Sequence, residues 1–106
     1  MDSAPPTPAF TPLVVRTGQA TLTGSVAQIL PADPTRLVLL VTAPLASITG
    51  SMCLGATDGT GFEFGAIPGV ISRFDWRTDG DIVHLSLSTT AAMGSGTISW
   101  ATLSRM

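Results

Sequence analysis

The sequence has no lysine, a single cysteine and little charge of either sign: charged residues are 11 % of the chain, against about 25 % in a typical soluble domain. All 5 cations are arginines, Arg16, Arg36, Arg73, Arg77 and Arg105, spread along the chain, and the net charge is −2. Without a basic cluster there is almost no electrostatic source for phosphate-driven binding, so no nucleic-acid partner is expected. Because Cys53 stands alone, no intramolecular disulfide can form, a state that suits a reducing compartment. No stretch approaches the roughly 18 consecutive apolar residues that a membrane-spanning helix needs, so no membrane partner is expected. The opening MDSAPPTPAF has neither a basic nor an apolar region of the secretory kind, so no signal peptide is expected. What stands in place of charge is serine, threonine and glycine, in a chain that is 44 % hydrophobic. A surface so neutral gives little colloidal stability, and the protein is therefore expected to be assembled with copies of itself or with another protein.

At 106 residues the chain is expected to form one domain that buries roughly two-thirds of its unfolded surface. Residues 1–12 hold Pro5, Pro6, Pro8 and Pro12 among small residues, a composition that favours extended polyproline II and cannot fold alone. This segment reads as an N-terminal arm able to reach roughly 30 Å across a neighbouring subunit. Pro5, Pro6, Pro8 and Phe10 are its candidate contact residues, with Phe10 as the anchor.

Residues 13–106 contain no 3.6-residue periodicity long enough for a helix. They divide instead into short apolar segments between turn residues, with Leu13–Thr17 as a first strand. A weaker strand follows over Ala20–Thr23 beyond the break at Gly18, and a third spans Val26–Leu30. The segment QILPADPTRLVLLV, Gln28 to Val41, organises the rest. Pro31 and Pro34 fix a turn, and Arg36 then opens the run Leu37–Val41. That run has no polar face, so a strand there must be covered on both sides, by its own fold or by a neighbouring subunit. A strand over Ser51–Gly55 and a turn over Ala56–Gly61 come next, then Phe62 and Phe64 flanking Glu63, and a second turn at Pro68-Gly69.

Val70–Arg77 alternates, with Val70, Ser72, Phe74 and Trp76 on one face and Ile71, Arg73, Asp75 and Arg77 on a wet one. Asp81–Leu87 reads as a strand with Val83, Leu85 and Leu87 inward and His84 outward. Thr89–Gly96 is a loop, and Thr97–Leu103 closes the domain with Trp100 and Ile98 on one face. Seven to eight short, mostly antiparallel strands at roughly ten-residue spacing indicate an all-β fold, a single β-sandwich or jelly-roll-like domain.

The chemically capable side chains do not gather into a site. His84, with Asp79, Asp81 and Ser86, lacks the sharp nucleophile turn of a Ser/His/Asp triad. Cys53 has no second cysteine or nearby histidine for zinc and reads as a small buried hydrophobe. Asp58 in DGTG lacks the spaced oxygen ligands of a calcium loop, and Asp75, Asp79 and Asp81 read as hairpin-turn polarity rather than as a glycosidase pair in a cleft. Trp76 and Trp100 lie on apolar strand faces and read as core, with sugar stacking as the alternative. No catalytic, cofactor-binding or metal-binding residue is assigned, and no enzyme activity is expected.

The order of these signals resembles small β-sandwich structural proteins of tailed-phage virions, of the head decoration or cement type. The matching residues are Ile29-Leu30-Pro31-Ala32-Asp33-Pro34-Thr35-Arg36, the strand Leu37–Val41, Met52–Gly55, Asp58–Gly61, Pro68-Gly69 and Thr97–Leu103, pieces spread over a span of about three-quarters of the chain. Where that family usually follows the hydrophobic strand with an Asn-containing turn, this sequence has Thr42-Ala43-Pro44-Leu45. The resemblance implies a non-enzymatic capsid decoration protein that self-associates, typically as a trimer with interlocking arms, and binds the major capsid protein. Its place would be the outer surface of the virion, after synthesis in the host cytoplasm. Arg36 would anchor the proline turn or a subunit or capsid contact. A neck, tail or fibre component is the structural alternative, and a carbohydrate-binding module using Trp76 or Trp100 belongs to a different class.

Overall fold

The computed structural model describes residues 12–43, 51–55, 61–65, 69–90 and 95–106. Among them are β1 (Leu13–Thr23), β2 (Gln28–Leu30), β3 (Arg36–Thr42), β4 (Ser51–Leu54), β5 (Phe62–Gly65), β6 (Ile71–Asp75), a one-turn helix α1 (Trp76–Asp79) running into a 3-10 segment (Gly80–His84), then β7 (Leu87–Thr89) and β8 (Ser95–Arg105). The strands form two four-stranded sheets, in the orders β1-β8-β3-β6 and β2-β7-β4-β5. Every pairing is antiparallel.

The pairs β1·β8, β2·β7, β3·β6 and β4·β5 are nested, as if one long hairpin had been folded over on itself. This is the jelly-roll arrangement of eight strands in two sheets. The inner faces meet in one core: Leu22, Leu39, Val41, Phe74 and Ile98 from the first sheet, Leu30, Met52, Leu54 and Leu87 from the second, and Val83 from the 3-10 segment. Phe74 of β6 meets Phe64 of β5 edge-on at a centroid distance of 4.9 Å and Phe62 at 6.0 Å, which ties the two sheets along one edge.

The organising turn is closed in three ways. Arg36 N–H donates to the Asp33 carbonyl at 3.2 Å. The Asp33 carboxylate accepts from the Thr35 backbone N–H at 2.9 Å and from the Thr35 hydroxyl at 2.6 Å. Arg36 itself points inward, 3 % exposed. Its guanidinium donates to the carbonyls of Pro31 at 2.8 Å, Val83 at 3.1 Å and Leu85 at 2.9 Å. One side chain thus joins its own turn to the 3-10 segment, a connection reinforced by Asp33 N–H donating to the His84 carbonyl at 2.9 Å. The pairing of β3 with β8 shifts register between Arg36 and Val38. That bulge lets Arg36 turn into the sandwich while Leu37 and Val38 stand on the outer side.

Several sequence expectations are corrected. The first strand does not break at Gly18: β1 runs unbroken for 11 residues. Gly18 is required because the Trp100 ring of the adjacent strand crosses it, and a Cβ there would lie 2.5 Å from Trp100 Cζ2. The third strand shortens to Gln28–Leu30. Residues 81–86 do not form a strand, because the Asp75 cap starts α1 and the chain continues as a 3-10 segment; only Leu87 belongs to one, β7. His84 is therefore half-buried and Leu85 exposed, while Val83 and Leu87 remain in the core. Trp76, expected inward, opens the helix and is exposed, whereas Trp100 packs against the core. Asp75, expected on a wet face, is buried. The closing strand starts two residues earlier, at Ser95. Pro5, Pro6, Pro8 and Phe10 of the arm, Pro44, the Ala56–Thr60 part of the loop with Asp58, and Pro68 lie outside the described residues.

Replacing Arg36 by methionine keeps its bulk but leaves three carbonyls without their donor, and we expect a loss of about 3 kcal/mol in urea denaturation. An unchanged midpoint would show that those carbonyls find other partners. Gly18→Ala should cost about 1–3 kcal/mol through displacement of the indole, and Trp100→Leu in the same chain should absorb most of that loss. Simple additivity of the two substitutions would show that the ring is not what excludes a side chain at position 18.

Candidate functional site

The two faces of the first sheet differ. Its inner face is the core just described, and its outer face carries the residues that alternate with it. Register places Val15, Leu103 and Val38 side by side across β1, β8 and β3, and Thr17, Ala101 and Leu40 in the next outward row. Leu13 and Leu37 extend this surface at one end and Ile71 at the other. Val15 is 70 % exposed, Ile71 62 %, Leu13 51 % and Trp76 45 %. A contiguous apolar surface of this kind is unusual outside interaction sites.

Two adjoining hollows give this face relief. The larger, about 450 Å³, is lined by Leu13, Leu37, Val38, Leu103 and Trp76 together with Arg77, Arg105 and Asp75, whose carboxylate pairs with Arg77 and Arg73. The second, about 280 Å³, is walled by Val15, Val38, Leu40, Ala101 and Leu103, with Arg73 beside it. Sharing Val38 and Leu103, they read as one apolar groove edged by arginines, across the strands of the sheet.

Helix α1 fixes one wall. The Asp75 carboxylate accepts from the Arg77 backbone N–H at 2.9 Å, and Asp75 N–H donates to the Asp79 carboxylate at 2.8 Å, so the single turn is capped reciprocally. The Trp76 indole N–H donates to the Asp81 carboxylate at 3.1 Å, which holds the ring at the groove. Donation from the Arg77 backbone holds the Asp75 carboxyl below the usual carboxylate range, helped by the Arg73 guanidinium at 3.4 Å and by the charge of Arg77.

The other sequence candidates stand apart from the groove. Arg36 lies inside the fold with Nε buried and lacking a partner, on the wall of a small hollow shared with Arg16, Asp33, Thr102 and Ser104. Burial lowers its pKa and nearby Asp33 partly offsets this. His84 Nδ1 is 3.6 Å from the Asp81 carboxylate. Cys53 is buried at 1 % exposure, as are Met52 and Leu54 beside it. Among the described residues no three or more His, Cys, Asp or Glu side chains are placed to hold a metal ion, and no helix is long and apolar enough to cross a membrane. Sequence reasoning did not single out Leu13, Val15, Trp76 and Leu103 as a surface. The available signal was the run Leu37–Val41, too apolar for a strand with one wet side.

No family model and no curated protein matches the chain in sequence. Among solved structures it is similar to a protein of Bacillus endospore appendages, described as forming a novel family of disulfide-linked pili. The two share a fold. The match has a TM-score of 0.51, covers 100 % of this chain and 99 % of that one, and carries 12 % sequence identity. The likeness therefore extends to the whole jelly roll and not to particular side chains.

The capped turn beside the groove should respond to acid. Because the folded pKa of Asp75 is depressed, its contribution is complete above the unfolded aspartate value of about 3.9 and is lost as pH falls through the lower folded value. Asp33, held low by the Thr35 hydroxyl, contributes with the same sign. Thermal midpoints measured between about pH 5 and pH 2 should fall less steeply for Asp75→Asn than for the natural chain. Parallel curves would show that the cap owes nothing to ionisation.

Proposed function

We propose that this protein is a structural subunit that self-associates through the outer face of its first sheet, and that its assembly decorates the head of a tailed-phage virion. The observation that carries the first half is the apolar groove: Val15, Val38, Leu40 and Leu103 stand outward side by side on one sheet face of a chain poor in charge. Interface centres are depleted of charge and ringed by polar or arginine side chains, and this face has that composition. The second half rests on the resemblance of the proline turn and the strands after it to virion decoration proteins, and it agrees with the jelly-roll topology. Likeness of fold to a protein from disulfide-linked pili supports a structural role of the broader kind.

In this reading the protein is non-catalytic and needs no cofactor. Its partners are other copies of itself, as a trimer, and the major capsid protein, on the outer surface of the particle. A neck, tail or fibre position would use the same fold and differs in copy number.

Native mass spectrometry of the purified chain should give a trimer at micromolar concentration, and Val15→Glu, at an exposed position, should shift it toward monomer without changing the thermal midpoint. A monomer in the natural chain would overturn self-association. Quantitative proteomics of purified virions should find hundreds of copies per particle; a dozen or fewer would move the protein to the neck or tail, and its absence would overturn the virion assignment.

A further inference from the structure

We infer that the open edge of β1 is a pairing site for β1 of a second copy, antiparallel about a twofold axis at Gly18, so that the first sheets of two copies run on as one. This contact lies at the rim of the sheet rather than on its outer face, and it goes beyond the self-association proposed above.

The edge is unprotected. Strand β1 closes one side of the first sheet, and its neighbour among the described residues is β8 alone. It is 11 residues long, pairs with β8 without a register shift, and contains neither proline nor lysine. Natural sheets blunt their edges by shortness, bulges, proline or lysine, because a row of unpaired N–H and C=O groups captures other strands. The remaining edge strands show such devices. Strand β2 has 3 residues and a register shift, β5 has 4, and β6 has 5 before the chain turns into α1.

The direction of each backbone group follows from bonds at the end of the sheet. Met106 N–H donates to the Pro12 carbonyl and Arg105 N–H to the Thr35 carbonyl, so even-numbered residues of β8 bond toward β1 and odd-numbered ones toward β3. Register then assigns the even-numbered residues of β1 to β8. The N–H and C=O groups of Leu13, Val15, Thr17, Gln19, Thr21 and Thr23 are left pointing to the open edge. A partner strand centred on Gly18 sets Leu13 opposite Thr23 of the second copy, Val15 opposite Thr21 and Thr17 opposite Gln19. Each open residue thus meets another open residue, and none overhangs.

The side chains accept this register. On the outer face threonine meets Leu13 and Val15, pairs that suit a strand. On the inner face Arg16, the one charged residue of β1, meets Ala20 rather than a second arginine, and Val14 meets Leu22. At the axis Gly18 meets Gly18, each already covered by its own Trp100 ring. Length identifies the occupant: among the described residues only β1 and β8 reach 11 residues, and β8 has a strand on either side. Backbone bonds exchanged with water add little net free energy each, so this is the weaker of the two contacts, and it couples one trimer to the next.

The test uses full-length chains carrying Thr17→Cys or Gln19→Cys. Across the pair these positions lie about 5.5 Å apart at Cα, within disulfide reach, whereas either position and its own symmetry mate are diagonal neighbours beyond about 7 Å. The natural Cys53 is buried, and the unsubstituted chain controls for it. At several hundred micromolar in a glutathione redox buffer, the mixture should form covalent dimer several-fold faster than either variant alone. Thr21→Pro in both chains removes an edge N–H that β8 does not use and should abolish that gain; Thr21→Lys, which leaves the backbone whole and charges the edge, should abolish it too. Equal rates in mixed and single preparations, no cross-link, or a gain that survives both edge substitutions would overturn the inference. Native mass of the unsubstituted chain at micromolar concentration is read in parallel. A trimer without the mixed cross-link rejects edge pairing and leaves the outer-face contact standing, whereas a monomer that still gives the mixed cross-link supports edge pairing and rejects the outer-face contact.

Discussion

The fold depends on how one buried cation is satisfied. Arg36 has left water with no carboxylate at contact distance among the described residues, and its guanidinium is spent on three backbone carbonyls. An isolated charge in an apolar interior costs several kcal/mol, so its neighbours must be held where they can repay that cost. Two of those carbonyls belong to the segment between β6 and β7, the third to the turn between β2 and β3. The fork geometry of arginine therefore fixes the distance between connections that cross from one sheet to the other, which lysine, with a single ammonium, could not do as well. The bulge beside Arg36 follows from the same demand, and it sends Leu37 and Val38 outward together.

From that bulge comes the asymmetry of the first sheet. Its inner face has the usual packed core, while its outer face is apolar because two successive residues of β3 stand there next to Leu103 and Val15. The second sheet buries Met52, Cys53 and Leu54 in succession. Charge is scarce throughout the chain, yet three of its arginines border the one groove, a placement that suits a contact surface better than a solvated sheet.

Much of the architecture was legible in the sequence because it rests on local chemistry. The proline turn, the apolar run after Arg36, the inward Phe74 and the alternation through β6 were all set by neighbours in the chain. The expected cover on both sides of Leu37–Val41 is met on one face only among the described residues, where Leu39 and Val41 are buried. What failed was non-local. Gly18 looked like a punctuation mark, but its reason is the Trp100 ring, at the far end of the chain. The helix at Trp76 escaped because four residues show no period, although the pair Asp75 and Asp79 carried the signal of a reciprocal cap. Trp76 then inherited the wrong face, and with it the groove went unseen.

The nested pairing also has a consequence in time. Strand β8, the one made latest, lies between β1 and β3, and it supplies Ala101 and Leu103 to the groove. Until β8 has been made, no strand joins β1 to the β3·β6 pair, and the first sheet exists only as separate pieces. Pairings so distant in sequence close late. The groove thus comes into being only once β8 has joined the sheet, and a chain without β8 has no such apolar face.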